Sequence, residues 1–260
     1  MRLSRRSLLV GGGVAAAAVG VPAAQKLHWN GKNFAQEGYD PSLPVAPDGR
    51  VGWMNWSGAQ KATPRELVLP VNENELAAFV RDSPHRVRPA GSGHSFTALA
   101  PTDGYILQTN YLSGLKAFDD QTGEATFGSG TLIFEACQAL AERGRAFDNL
   151  PDVDVQTLAG AFSTATHGTG ENLPALHDNI TAFRIVSPNG DVLNVSREIT
   201  PELFEAGKVS LGALGVITEY KLRTVPAFKL RRQAIVEKID DLLDTIEERA
   251  ARHRNFEFFY

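Results

Sequence analysis

The residues of this chain best suited to chemistry sit at 88–96, Arg-Pro-Ala-Gly-Ser-Gly-His-Ser-Phe. Gly91 and Gly93 let the main chain turn where a side chain would clash. A turn of that kind aims successive backbone N–H groups into one concavity, which suits a phosphate. His94 and Ser95 follow at once, so the spacing joins an anion cradle to an imidazole at a fixed offset. Alone, a Gly-x-Gly loop is also the mark of an ordinary tight turn. A second stretch, 157–170, reads Thr-Leu-Ala-Gly-Ala-Phe-Ser-Thr-Ala-Thr-His-Gly-Thr-Gly. Small residues dominate it, which suits a backbone that must approach something flat and large. Its hydroxyls supply short-range donors and acceptors. The competing reading is a tightly packed helix; His167, Gly168 and Gly170 weigh against it. His167 itself reads as a hydrogen-bonded structural histidine rather than an acid or base. Cys137, the single cysteine, reads as a small buried hydrophobe rather than a reactive thiol.

Local elements must position these groups. Residues 66–70 read as a strand, and 72–81 as a helix with Asn72 as N-cap and Glu75 completing a capping-box-like pair. A strand at 86–88 then delivers the glycine turn. Strands follow at 105–107 and 125–127, and a helix at 132–143 stops at Gly144. Strands 182–187 and 192–195 flank Pro188-Asn189-Gly190-Asp191 as a hairpin. A short helix at 201–205 precedes a glycine-containing loop that runs into a strand ending at Leu222. Beyond residue 230 the expectation is a strand at 235–236, one helix over 240–252 with Leu242, Leu243 and Ile246 inward, and the start of an aromatic strand at 255–260. Trp53 and Trp56, three apart in a β-prone run, read as buried packing.

With 260 residues the chain can bury a sizeable core, and 43% hydrophobic with 22% charged residues is the balance of a globular protein. A net charge of −4 provides no basic field, so nucleic acid is not expected as a partner. One cysteine rules out an intramolecular disulfide, and the six scattered histidines form no metal-spaced pair. Residues 1–24 read as a targeting segment, with Arg2, Arg5 and Arg6, an uncharged run from Leu8 and a small-residue end at Pro22-Ala23-Ala24. Ser4-Arg5-Arg6-Ser7-Leu8-Leu9 resembles a bacterial twin-arginine signal, which implies export of the folded protein by that machinery to the periplasm or beyond. A plain secretory signal and an uncleaved membrane anchor are the alternatives, and the run falls short of the ~18 apolar residues of a span.

Taken in order, Arg-x-x-Gly-x-Gly-His-Ser at 88–95, Thr-Leu-Ala-Gly at 157–160, Thr-His-Gly-Thr-Gly at 166–170 and Leu-Gly-Val-Ile-Thr at 214–218 resemble the flavin domain of the vanillyl-alcohol oxidase/p-cresol methylhydroxylase (PCMH-type) family. Trp-x-Asn-Trp-Ser-Gly at 53–58 and the ending Phe-Glu-Phe-Phe resemble its aldonolactone and alditol oxidases. The similarity runs over 51–260. It implies an α+β fold: a PCMH-type FAD-binding domain of two α/β lobes, followed by a substrate (cap) domain. The organisation expected is a signal peptide at 1–24, an N-terminal arm at 25–58, the FAD-binding domain at 59–227 and the start of a truncated cap domain at 228–260.

By motif position the resemblance implies that Ala90, Gly91, Ser92 and Gly93 hold the FAD pyrophosphate through backbone N–H groups. His94 would carry a covalent bond to the 8α-methyl of the flavin, with Ser95 hydrogen-bonding beside it. Thr157 stands where relatives place a Ser near flavin and substrate. Gly160, Thr164, Ala165, His167, Gly168 and Thr169 would line the flavin or ribityl chain, and Ile217 would meet the adenine end. No cysteine lies near 151–156, where some relatives make a second flavin link, so one link is expected. The implied activity is oxidation of a CH–OH group of an aldonolactone or polyol, with hydride passing to flavin and on to oxygen or another acceptor. The catalytic acid/base is expected from cap regions. A non-catalytic flavin-binding module and a sterol oxidase of the same superfamily are the alternatives.

Overall fold

The computed structural model describes residues 42–260. The expected signal at 1–24 and the arm up to residue 41 lie outside the described residues. The first lobe contains, in order, β1 (Trp53–Met54), β2 (Lys61–Ala62), β3 (Glu66–Val68), α1 (Glu73–Asp82), β4 (Val87–Pro89) and β5 (Tyr105–Leu107). β1 and β2 pair as a small antiparallel hairpin. The other strands form a three-stranded parallel sheet in the order β3-β5-β4. Parallel strands need a crossover, and α1 supplies it between β3 and β4. β5 is central, so Ile106 and Leu107 are fully buried, while the edge strand β3 leaves Leu67 exposed. α1 starts as its sequence dictates: Asn72 Oδ1 accepts the Glu75 N–H at 2.9 Å. Glu75 Oε2 takes the N–H of Val71 (2.9 Å) rather than that of Asn72, so the reciprocal half of a capping box is displaced by one residue.

The second lobe contains β6 (Leu115–Phe118), β7 (Ala125–Gly128), α2 (Ile133–Ala141), β8 (Arg145–Ala146), α3 (Leu158–Ser163), β9 (Ile180–Val186), β10 (Val192–Ser196), α4 (Pro201–Lys208), β11 (Val216–Leu222) and β12 (Val225–Pro226). Its five-stranded sheet runs β10-β9-β11-β7-β6, antiparallel throughout. Alternate residues share a face. Phe183 and Ile185 on β9 with Tyr220 and Leu222 on β11 therefore point the same way, onto Leu140 of α2, Phe162 of α3 and Phe204 of α4. Phe162 meets Tyr220 edge-on at 4.8 Å. Helices laid on one face of an antiparallel sheet, beside a small parallel unit, make the fold α+β.

The lobes share a seam. Val186 and Val216 of the second lobe cluster with Leu76, Ala77 and Leu107 of the first. Arg184 pairs there with Glu73, and Thr218 Oγ1 donates to Glu73 Oε1 at 2.6 Å.

Several elements differ from expectation. The small-residue run does begin as a helix, α3, because Leu158, Ala161 and Phe162 recur on one buried face. Trp53 is buried, but Trp56 is 65% exposed. The expected helix over 240–252 is two helices, α5 (Ile239–Leu243) and α6 (Ile246–Arg252). Thr245 explains the break, since its hydroxyl donates to the Asp241 carbonyl (3.1 Å) in competition with the helical ladder. Leu242 is buried and Leu243 exposed. Neither 235–236 nor 255–260 is a strand, and among the described residues neither has a strand partner. Cys137 lies half-buried against the core, and burial with the nearby Asp154 charge raises its thiol to about 11, so it stays protonated at neutral pH.

Candidate functional site

The carboxyl ends of β4 and β5 open into a cleft. That end of a parallel sheet is where α/β units bind ligands. One wall is the loop leaving β4, from Ala90 to Ser95. Facing it are Thr157, Gly160 and Thr164 from the start and end of α3. Ile217 and the loop before β11 close a third side. Among the described cleft-lining residues there is no Asp, Glu, Lys or Arg, and His94 is the sole histidine.

The loop is built for close approach. The N–H of Ala90 donates to the Leu107 carbonyl (2.9 Å), extending the β4–β5 ladder by one bond. Ala90 therefore has no N–H left for a phosphate, which corrects its expected role to that of an anchor. From Gly91 to Ser95 no N–H has an acceptor among the described residues. Gly93 takes a φ of 72°, a left-handed value that favours glycine. Gln108 Nε2 donates to the Gly91 carbonyl at 3.1 Å and fixes that peptide. Gly91 packs directly against the start of α3, where a Cβ would overlap the Thr157 hydroxyl, with Gly160 Cα at 3.5 Å.

Thr157 is the N-cap of α3, and its Oγ1 accepts the Gly160 N–H at 3.1 Å. The Leu158 and Ala159 N–H groups go to the carbonyls of Thr131 (2.8 Å) and Ser129 (3.0 Å). The first donors of α3 are thus spent internally, while those of the glycine loop from Gly91 to Ser95 are free. Thr164 donates its hydroxyl proton back to the Gly160 carbonyl (2.9 Å). Gln156 lines the cleft with a buried Oε1 that has no partner, an acceptor placed for a donor on a ligand.

His94 stands at the end of the loop with its ring stacked on Trp56, centroids 5.3 Å apart and planes 20° from parallel. Ser95 Oγ lies 3.0 Å from Thr97 Oγ1. Ala165, His167, Gly168 and Thr169 are not among the cleft-lining residues. The chain leaves α3 through a left-handed Ala165 (φ 55°) and packs elsewhere. His167 is exposed, its Nδ1 2.8 Å from the Gly168 carbonyl oxygen. Gly168 lies against Asn149 and Leu150, and the Thr169 carbonyl accepts from Asn255 Nδ2 at 2.7 Å. The small residues at 166–170 serve close chain packing there. Sequence reasoning missed Gln156, Ser163 and the loop Ser210-Leu211-Gly212. Leu211 and Gly212 both have left-handed φ (52° and 69°), and Gly212 leans on Pro89. The one available signal was a second pair of glycines, Gly212 and Gly215, directly before a strand.

Residues 64–196, just over half of the chain, match the family described as FAD binding domain. The chain belongs to the FAD binding domain family. The chain is 38% identical over 210 residues to the L-gulono-1,4-lactone dehydrogenase of Mycobacterium tuberculosis, covering 80% of this chain and 48% of that protein. It is 32% identical to the D-arabinono-1,4-lactone oxidase of Eremothecium gossypii, over 74% of this chain and 38% of the relative. With the L-gulonolactone oxidase of Bos taurus the identity is 28%, over 81% and 48%. The chain spans no more than about half the length of these curated relatives. An alkyldihydroxyacetonephosphate synthase structure shares the fold, with a TM-score of 0.59 at 21% identity over 65% of this chain and 33% of that one. FAD is the cofactor of the domain, and the cleft fits it: unpaired N–H groups for its diphosphate and an orphan acceptor in Gln156.

Proposed function

We propose that this chain is the flavin-binding part of an FAD-dependent oxidoreductase that oxidises a CH–OH group of an aldonolactone or a related polyol. The observation that carries the reading is the arc of unpaired N–H groups from Gly91 to Ser95, which ends at the one histidine of the cleft. Gly91, Ser92 and Gly93 hold the diphosphate through backbone dipoles, without a cationic side chain. Gly160 and Thr164 give the flat wall for the flavin, and Ile217 an apolar surface toward the adenine end. Thr157 shapes that wall as the cap of α3. The bound flavin supplies a hydride acceptor, which passes electrons to oxygen or another acceptor.

His94 is the point of covalent attachment. Its ring nitrogen would be bonded to the 8α-methyl carbon, with one hydrogen lost from the imidazole N–H and one from the methyl, and the two protons and two electrons would go to that same acceptor. No other titratable group lines the described cleft, so the base for the substrate hydroxyl comes from outside this lining. Residues 59–227 form the FAD-binding domain after the arm at 25–58, and 228–260 begin the substrate-binding part. Residues 1–24 direct export by the twin-arginine machinery to the periplasm or outside, and membrane association would need that segment retained. L-gulono- and D-arabinono-lactones are the first substrates to assay, with xylitol, sorbitol and cholesterol as contrasts, with and without oxygen. The decisive experiment is acid denaturation of FAD-loaded protein. Flavin fluorescence should remain with the wild-type precipitate and be lost from His94→Ala; retention in the variant would refute the assignment.

A further inference from the structure

We propose that Trp56, with the turn between β1 and β2, is a positioning device that sets the plane of the His94 imidazole for attachment to flavin; the inference rests on the attachment assigned to His94 above. Three bonds tie this turn to the loop that carries His94. The Trp56 N–H donates to the Gly93 carbonyl (2.8 Å), Asn55 Nδ2 to the Ser95 carbonyl (2.9 Å) and Gln60 Nε2 to the Phe96 carbonyl (3.1 Å). The peptide that enters His94 and the one that follows Ser95 are therefore held, which brackets the His94-Ser95 pair. Asn55 is 2% exposed and locked into its own turn, with Oδ1 accepting the Gln60 N–H at 2.9 Å.

What remains free is rotation of the imidazole about its two side-chain bonds, and the indole of Trp56 removes it by stacking. Trp56 is too exposed to serve the core, and its ring contacts among the described residues are His94 and, edge-on at 6.2 Å, Phe96. Imidazole lone pairs lie in the ring plane. A ring stacked on indole keeps that plane fixed and both nitrogen edges uncovered, the presentation a bond-forming nitrogen needs. Fixing a reacting group in its attack orientation raises the rate of bond formation.

The test follows attachment itself. Wild type, Trp56→Leu, Trp56→Phe and His94→Ala are prepared without flavin and mixed with FAD under oxygen. The flavin that stays with acid-precipitated protein is measured over time, beside reversible FAD affinity at early times and thermal unfolding. Trp56→Leu should attach FAD about tenfold more slowly or worse. Trp56→Phe, which restores a flat ring, should stay within about threefold of wild type. Affinity and unfolding temperature should not move in either. Leu attaching at the wild-type rate, Phe failing to rescue, or a parallel loss of affinity and stability would each overturn the positioning role while leaving His94 as the link. No attachment in wild type, or attachment surviving His94→Ala, would overturn the link and the inference with it.

Discussion

At the scale of single residues, the site depends on what is missing from side chains as much as on what is present. Gly91 illustrates this. A methyl there would overlap the Thr157 hydroxyl, and that hydroxyl cannot swing away because it caps α3. Gly91→Ala should keep the fold and weaken reversible FAD binding about tenfold or more, near 1.4 kcal/mol, by titration. Cys137 gives a second outcome. With its thiol raised to about 11, roughly one molecule in a thousand is ionised at pH 8, so native protein should resist maleimide while unfolded protein reacts at once. The folded value lies above the unfolded one, so this group's contribution to stability is intact below about pH 9 and lost as pH rises toward about 11. Thermal unfolding across that range should fall less steeply in Cys137→Ala. The glycines, His94 and Thr157 were legible in the sequence because residue type alone carries their chemistry. Trp56 was not, since nothing in a local pattern tells an exposed aromatic partner from a buried one.

At the scale of elements, α1 does more than bridge β3 and β4. Its first residue, Glu73, accepts from Thr218 and pairs with Arg184, both on the antiparallel sheet. Glu73→Ala should lower stability by about 1 to 2 kcal/mol in denaturant titrations, with an unchanged slope, because a buried hydroxyl and a guanidinium lose their acceptor. The side chains are partly exposed, so water limits the loss. Periodicity and caps located α1, α2 and the β9–β10 hairpin to within about two residues. They failed at α3, where small residues hid a buried helical face. They failed again at 240–252, where a single hydroxyl back-bond splits a continuous pattern. The second failure comes from competition between side chain and backbone, which periodicity does not register.

For the whole molecule, the order β10-β9-β11-β7-β6 was beyond reach of sequence reading. β11 inserts between β9 and β7, strands far from it in the chain, and such pairings depend on how two lobes close on each other. A ligand held between the lobes stabilises both together. FAD at one hundred times its dissociation constant should add about 2.7 kcal/mol while binding is reversible, a rise of about 5 to 10 °C in unfolding temperature. Covalently loaded protein should keep that rise after free FAD is removed.

The chain has three tryptophans, and Trp29 lies outside the described residues. Trp53 lines the cleft and Trp56 sits on the histidine at its mouth. Indole emission overlaps flavin absorption, so both rings report by energy transfer when the cofactor arrives. The protein thus carries its own optical gauge of loading, readable without a label, and the two signals separate by wavelength because one ring is dry and the other wet.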